Sequence, residues 1–286
     1  MRFGIKTAPQ HTNWADMLAV WKEADQIELF ETAWNFDHFE PIFSDRTGPC
    51  LEGWSMLAAM AAHTSRIRIG CQVTGMPYRH PAVLANMAAT IDIISGGRLI
   101  IGLGAGWNQE ESDALGIRLP PMKERFEQFA EGVDVIVRLL SNTVTDYEGT
   151  HFTLHQARCE PKPIQRPHPP IAIGGSGEKK TLRLVAQYAQ HWNALVRDPA
   201  EWQHKKNVLL AHCVDVGRDP STIECSVNLR YDADAGPSAL ADDAARWAEA
   251  GVDVGIVNFA PPHTPAPLAA IADALAPLGD VNAPRS

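Results

Sequence analysis

In GGRLIIGLGAGWNQEE, at 96–111, an apolar run is followed by three alternating glycines and then by a tryptophan and two acids. A dinucleotide-binding fingerprint needs G-x-G-x-x-G, whereas Gly102, Gly104 and Gly106 give G-x-G-x-G. Alternating glycines in a buried strand indicate instead a close approach by a planar group or by neighbouring backbone. Packing inside a barrel, where small residues fit the interior, would also explain them.

Short apolar runs alternate with helical periods on both sides of this strand. Eight strand-then-helix units result, with strands predicted at 2–8, 31–37, 66–75, 98–106, 170–175, 191–196, 221–232 and 252–259. A loop is predicted between the fourth strand and the helix at 121–141. This alternation is typical of an α/β protein with parallel strands, and eight units in 286 residues predict a closed (β/α)8 TIM barrel rather than an open doubly wound sheet.

The segment at 142–170 breaks the alternation. It is predicted to form a β-hairpin and a stiff proline-rich connector, inserted before the fifth strand. The whole chain, 1–286, is predicted to be one TIM-barrel domain that contains this insertion.

The composition excludes several classes of protein. The net charge of −9 argues against a nucleic-acid surface and against a polybasic membrane patch. The five cysteines include no C-x-x-C, and the eleven histidines include no His-x-His, so neither a disulfide framework nor a metal centre is predicted. The start of the chain turns polar at once, and no window reaches 18 apolar residues. We therefore expect a cytoplasmic protein without membrane or nucleic-acid partners.

In a TIM barrel the chemistry lies where the strands end at the carboxyl rim. Asp37 and His38 directly follow the second predicted strand. Together they form an ionisable pair that could hydrogen-bond a ligand and move a proton near neutral pH. The alternative is that Asp37 is a helix N-cap and His38 a surface residue.

A second rim candidate follows the fifth predicted strand. Gly174, Gly175, Ser176 and Gly177 leave backbone N–H groups accessible, and the predicted helix after them would attract anions at its N-terminus. Two lysines in EKKTL (178–182) add positive charge. We interpret this turn as a phosphate-binding cradle, with an ordinary tight strand-to-helix turn as the alternative.

Three long strings resemble the bacterial luciferase-like monooxygenase superfamily. They are WNFDHFEPIFSDRTGPCLEGWSMLAAMAAHTSRIRIG (34–70), VTGMPYRHPAVLANMAATIDIISGGRLIIGLGAGWNQEE (73–111) and EPKPIQRPHPPIAIGGSGEKKTLRLVAQYAQHWNA (160–194). Within the superfamily they are most similar to the oxidoreductases that use the deazaflavin coenzyme F-420 (8-hydroxy-5-deazaflavin). The resemblance covers roughly 2–232, and 233–286 match less well.

The resemblance implies a TIM barrel with a flat coenzyme ring across the strand ends. Asp37 and His38 would flank the hydride-carrying face, with His38 as the first choice for proton transfer. The remaining coenzyme-binding residues that it implies lie at three other strand ends: Gln72, Val73 and Thr74, where family members often hold a non-proline cis peptide bond; Gly106, Trp107 and Asn108, near the coenzyme tail; and Gly174, Gly175, Ser176 and Gly177, at its phosphate.

The sequence also departs from one branch of this family. In the sugar-phosphate dehydrogenases a catalytic glutamate follows the fourth-strand glycine, where this chain has Trp107. The basic residues that grip the sugar phosphate are not evident after the sixth strand, so a sugar phosphate is not the expected substrate. Glu40 and Glu52 are nearby acids that could serve instead.

The function predicted from the resemblance is hydride transfer between coenzyme F-420 and a small organic substrate. The alternatives are an FMN-dependent monooxygenase that uses reduced flavin and oxygen, and a non-catalytic flavin-binding relative. The helical segment ADDAARWAEAG (241–251) could support a homodimer, or could simply face solvent on the outside of the barrel.

Overall fold

The structure is a computed structural model that describes residues 1–279, so 280–286 of the predicted domain lie outside the described residues. Its strands, in chain order, are β1 Arg2–Thr7, β2 Phe30–Asn35, β3 Arg68–Cys71, β4 Thr74–Gly75, β5 Leu99–Gly104, β6 Thr145–Glu148, β7 Thr153–Ala157, β8 Ile171–Gly174, β9 His191–Ala194, β10 Glu224–Arg230 and β11 Val254–Phe259. All strands but β6 and β7 pair in parallel, in the order β3-β2-β1-β11-β10-β9-β8-β5-β4. Because β3 also pairs with β5, the sheet closes. The predicted (β/α)8 TIM barrel is confirmed.

The helices surround this barrel. They are α1 Trp14–Gln26, α2 Gly53–His63, α3 Pro81–Ile94, α4 Gln109–Leu115, α5 Met122–Ser141, α6 Thr181–Tyr188, α7 Pro199–Val216, α8 Gly236–Glu249 and α9 Leu268–Leu275. A large apolar core fills the space between the strands and the helices. In residues 1–279 no helix is both long enough and apolar enough to cross a membrane.

The predicted insertion is present before the fifth barrel strand. β6 and β7 form an antiparallel hairpin, and the proline-rich chain after them runs without helix or strand into β8. The third barrel strand is interrupted between β3 and β4, where the resemblance implies a non-proline cis peptide bond. One detail differs from the prediction: the short helix α4 occupies part of the segment that was predicted to be a loop.

A small apolar cluster fills the inside of the barrel, separate from the outer core. Trp34, Ile100, Ala172, Val254 and Ile256 make up this interior cluster. Because side chains alternate along each strand, the residues two positions further on face the same interior, nearer the carboxyl rim.

The alternating glycines of β5 are explained by the interruption in the third strand. A Cβ at Gly102 would lie 1.7 Å from the carbonyl oxygen of Cys71, and one at Gly104 would lie 2.7 Å from Val73 Cγ2. The Val73 side chain also passes 3.0 Å from the place of a Cβ at Gly174 on β8. Of the explanations considered from the sequence, close approach by neighbouring backbone is therefore the one observed at Gly102.

Gly102→Ala is expected to destabilise the protein more than Gly104→Ala, because the added methyl group meets backbone at 102 and a side chain at 104. We expect Gly104→Ala to cost about 1–3 kcal/mol in the free energy of unfolding, the usual cost of overpacking, and Gly102→Ala to cost more. Urea denaturation measures both costs. Val73→Ala should relieve Gly104→Ala and leave the cost of Gly102→Ala unchanged, and equal relief of both would contradict this packing.

Candidate active site

Asp37 lies after the end of β2 and is fully buried in an ion pair. Arg79 Nη2 donates to Asp37 Oδ1 at 2.9 Å, and the same guanidinium pairs with Glu52. Burial raises the pKa of Asp37 to about 6, although Arg79 acts in the opposite direction. The N-cap of α2 is Glu52, whose carboxylate accepts backbone N–H groups of the first turn. Asp37 is therefore not a helix N-cap.

The two further acids proposed from the sequence are both paired with arginines. Besides its contact with Arg79, Glu52 accepts hydrogen bonds from the first turn of α2, and these outweigh burial and lower its pKa. Glu40 accepts from Arg46 Nε at 3.0 Å, and Arg46 also pairs with Glu110 on α4. The loop after β2 is thereby tied to α4.

His38 is held by a carboxylate that the sequence analysis did not identify. Its Nδ1 lies 2.9 Å from Glu111 Oε2, and the Tyr78 hydroxyl donates to the same oxygen. The backbone N–H groups of Phe39 and Glu40 donate to Glu111 Oε1 at 2.7 and 3.2 Å. Burial alone would raise the pKa of Glu111, but the bonds from His38, Tyr78 and Phe39 outweigh it and lower the pKa to about 2.

These contacts fix which nitrogen of His38 a ligand can reach. Because Glu111 is ionised, the Nδ1–H of His38 donates to it, and the lone pair of a neutral imidazole is then on Nε2. The ring is further held edge-on against Phe36 and Trp107, with centroids 5.2 and 5.5 Å away. Within residues 1–279, Nε2 has no hydrogen-bond partner. This nitrogen can therefore accept or donate a proton at the rim.

Glu111 reaches His38 because of the short helix α4. Asn108 is the N-cap of that helix, and its side chain accepts from the backbone N–H of Glu111 at 3.3 Å. The spacing Asn-x-x-Glu before a helix is a recognised start signal, so the sequence did contain a clue to α4. The contact between residues 38 and 111 had no such local signal.

Trp107 lies on the rim beside His38 and is 53% exposed. It stacks on Phe43 with a centroid distance of 5.5 Å and an angle of 5°. The preceding Gly106 has a positive φ of 81°, and its carbonyl accepts from Arg125 Nη1 at 3.2 Å. The sequence-predicted group Gly106–Asn108 thus borders the histidine and positions α4.

The interruption in the third strand contains the cis peptide bond between Gln72 and Val73 that the resemblance implies. Gln72 is 5% exposed, yet neither polar atom of its side chain has a hydrogen-bond partner in the described part of the chain. Thr74 Oγ1 accepts from Trp54 Nε1 at 2.7 Å. Buried amides are nearly always hydrogen-bonded, so Gln72 fits a place where a ligand supplies the missing partners.

Gly174–Gly177 forms an irregular turn between β8 and α6. Gly175 has a φ of 120° and its N–H donates to the carbonyl of Asn193 at 3.1 Å, while Ser176 Oγ accepts from the N–H of Leu195 at 2.9 Å. The helix begins at Thr181, so its N-terminus does not directly adjoin the glycines as the prediction required. Among residues 1–279 no hydrogen bond uses the N–H groups of Ser176 and Gly177, which suits an anion cradle.

The family model for luciferase-like monooxygenases matches residues 1–279, and so extends beyond position 232, where the resemblance weakens. The 4-hydroxyprotoasukamycin monooxygenase of Streptomyces nodosus subsp. asukaensis is 29% identical over 86% of this chain and 68% of its own length. An F-420-dependent glucose-6-phosphate dehydrogenase of Microbacterium testaceum is 31% identical over 66% of this chain and 55% of its own length.

A solved structure shares the fold closely. The coenzyme F-420-dependent tetrahydromethanopterin reductase from Methanopyrus kandleri superposes with a TM-score of 0.82 over 97% of this chain and 99% of its own. Its sequence identity is 19%, so this likeness concerns the barrel fold.

Glu111→Gln is expected to lower the free energy of unfolding by about 1–3 kcal/mol at neutral pH, because a buried ionised acceptor of several hydrogen bonds is lost. Glu110→Gln, one residue earlier and exposed, is the matched control and should cost less than about 1 kcal/mol. Chemical denaturation measures both.

The stabilising effect of Glu111 is also expected to depend on pH. Folding lowers the pKa of Glu111 from 4.5 to about 2. The contribution of its ionised carboxylate to the free energy of unfolding is therefore fully present above pH 4.5 and is lost as the pH falls towards 2. The stability difference between the wild type and Glu111→Gln should shrink over that interval. A difference that does not change with pH would contradict the ionised, hydrogen-bonded carboxylate.

Proposed function

Since the chain belongs to the luciferase-like monooxygenase family, we propose that it transfers a hydride between coenzyme F-420 and a small organic substrate. The observation that carries this proposal is the state of His38 at the barrel rim. Its Nδ1 is fixed by Glu111, and its Nε2 has no partner in the described part of the chain. A fixed base with one accessible nitrogen is what proton transfer to or from a substrate oxygen requires.

The residues that would hold the coenzyme come from four strand ends. Gln72, Val73 and Thr74 would lie against the ring, and the orphaned amide of Gln72 supports this, because ring carbonyl and N–H groups could satisfy both of its polar atoms. The other residues that we propose for the coenzyme are Asp37 beside the ring, Gly106, Trp107 and Asn108 towards the tail, and Gly174, Gly175, Ser176 and Gly177 at the phosphate.

A bound deazaflavin supplies two electrons as a hydride, so the protein has to bind, orient and handle protons. We assign proton transfer to His38 Nε2. When this nitrogen takes a proton, the imidazolium lies against the Glu111 carboxylate, which compensates its charge. Asp37 is paired with Arg79 and is assigned a binding role beside the histidine.

An FMN-dependent monooxygenase remains the second candidate, and a specific observation favours it. The 4-hydroxyprotoasukamycin monooxygenase matches 86% of this chain, whereas the glucose-6-phosphate dehydrogenase matches 66%. The Asp-His-Phe string at 37–39 and the segment RHPAVLANMAAT (79–90) favour deazaflavin. An intact His38 with its carboxylate argues against a non-catalytic relative. We also propose that the protein is cytoplasmic and has no membrane or nucleic-acid partners.

We expect F-420 to raise the melting temperature and to change its own fluorescence on binding, while FMN does neither at the same concentration. Ser176→Asp keeps an acceptor for the Leu195 N–H and adds a negative charge to the cradle, so it should weaken F-420 binding at least about tenfold. Thermal unfolding measures the shift in melting temperature, and fluorescence titration measures the affinity of each protein for F-420.

Ser221→Asp is the matched control, because it adds the same charge at an exposed site before β10, at the opposite end of the barrel. Its affinity for F-420 should equal that of the wild type. Stabilisation by FMN alone would overturn the deazaflavin proposal in favour of the monooxygenase, and equal weakening by both serine variants would overturn the cradle.

A further inference from the structure

Lys6 enters the interior of the barrel near the rim that carries His38. Side chains alternate along β1, so Gly4 and Lys6 share one face. The register partner of Gly4 on β11 is Ile256, and that of Lys6 on β2 is Trp34. Both partners belong to the interior cluster. Since Lys6 is the last inward residue of β1, it lies at the carboxyl end of the interior.

This lysine has no counter-ion in the part of the chain that the structure describes. Among residues 1–279, no hydrogen bond or ion pair involves its ammonium group. The acids of the rim are already engaged, since Asp37 and Glu52 pair with Arg79 and Glu111 accepts from four donors. Burial lowers the pKa of Lys6 to about 8. Enclosed charges in proteins are normally paired, so an unpaired ammonium here requires an explanation.

The other polar residues on the inward face near the rim include several amides and one arginine, Arg230, which ends β10 and is the register partner of Asn258. Gln72 follows Gly70 on the inward face of the third strand, and both of its polar atoms lack a partner within the described residues. Asn228 Oδ1 on β10 also lacks one, and Asn258 on β11 is the register partner of Lys6. Amides can hydrogen-bond a ligand but cannot neutralise a cation. The described part of the mouth therefore presents the Lys6 ammonium and the Arg230 guanidinium, several amides, and rim acids that are already paired.

We propose that Lys6 binds the substrate, and that the substrate carries a carboxylate which pairs with this ammonium inside the barrel mouth. The inference rests on the proposed function, because it assumes that the substrate reacts at the rim above this interior. The Lys6 ammonium alone can neutralise a carboxylate, whereas a phosphate monoester would also engage the Arg230 guanidinium, which flanks Asn258 from β10. Lys6 thus contributes to substrate specificity, and proton transfer remains assigned to His38.

The first test observes Lys6 directly and needs no coenzyme. Reductive methylation with ¹³C-formaldehyde labels the eight lysines of the chain, and Lys6→Arg identifies the Lys6 signal in the NMR spectrum. This signal should titrate at a lower pH than the other seven. Benzoate should move its titration to higher pH, and the neutral analogue benzamide should not, because only the anion stabilises the ammonium form.

The second test uses binding. Lys6→Met removes the charge at similar volume, and Lys22→Met, exposed on α1, is the matched control. Calorimetric titration should show benzoate binding to the wild type and to Lys22→Met, and at least about tenfold weaker binding to Lys6→Met. The affinity for F-420 should be the same in all three proteins. Thermal unfolding of each variant establishes that it is folded.

The outcomes separate this inference from the proposed function. Benzoate binding that is absent from the wild type or equal in Lys6→Met would overturn the anion site. A Lys6→Met variant that loses F-420 affinity instead would also overturn it, because the ammonium would then serve the coenzyme. Benzoate binding that depends on Lys6 in a protein that does not bind F-420 would support the anion site and overturn the proposed coenzyme.

Discussion

The carboxylate of Glu111 organises the rim of this barrel. It receives hydrogen bonds from the His38 ring, from two backbone N–H groups after β2 and from the Tyr78 hydroxyl. Three segments that are far apart in the chain are thereby joined at one buried group. An ionised group in such a place is stable only with this many donors, so the carboxylate and its surroundings constrain each other. The orientation of His38 follows from that constraint, and so does the chemistry assigned to it.

A second constraint fixes the backbone beneath the site, where the third barrel strand packs against β5. The third strand is interrupted at Gln72 and Val73, and its backbone lies so close to β5 that only glycine fits at 102. Val73 then occupies the space over Gly104 and Gly174 on the two following strands. The same interruption leaves the Gln72 amide buried without a partner in the described residues. Packing below the rim and ligand-binding capacity at the rim therefore have a common origin.

The sequence predicts the barrel because the evidence for it is local. Periodicity marks each strand and helix, and the rim rule places Asp37 and His38 at the end of β2. Glu111 and Arg79 were missed because their contacts with this pair join positions 40 to 75 residues apart, which no local pattern reports. The alternating glycines allowed several explanations, and only the position of Cys71 decides between them. The homodimer stays a prediction, and Trp247 in the segment suggested for it packs into the core.

The most direct test of the central claim is the tautomer of His38, measured by long-range ¹H–¹⁵N correlation NMR on ¹⁵N-labelled protein with a His38→Gln variant for assignment. Neutral His38 is expected to carry its proton on Nδ1, with the lone pair on Nε2, and Glu111→Gln is expected to weaken this preference. A neutral His38 protonated on Nε2, or a tautomer that does not respond to Glu111→Gln, would contradict it.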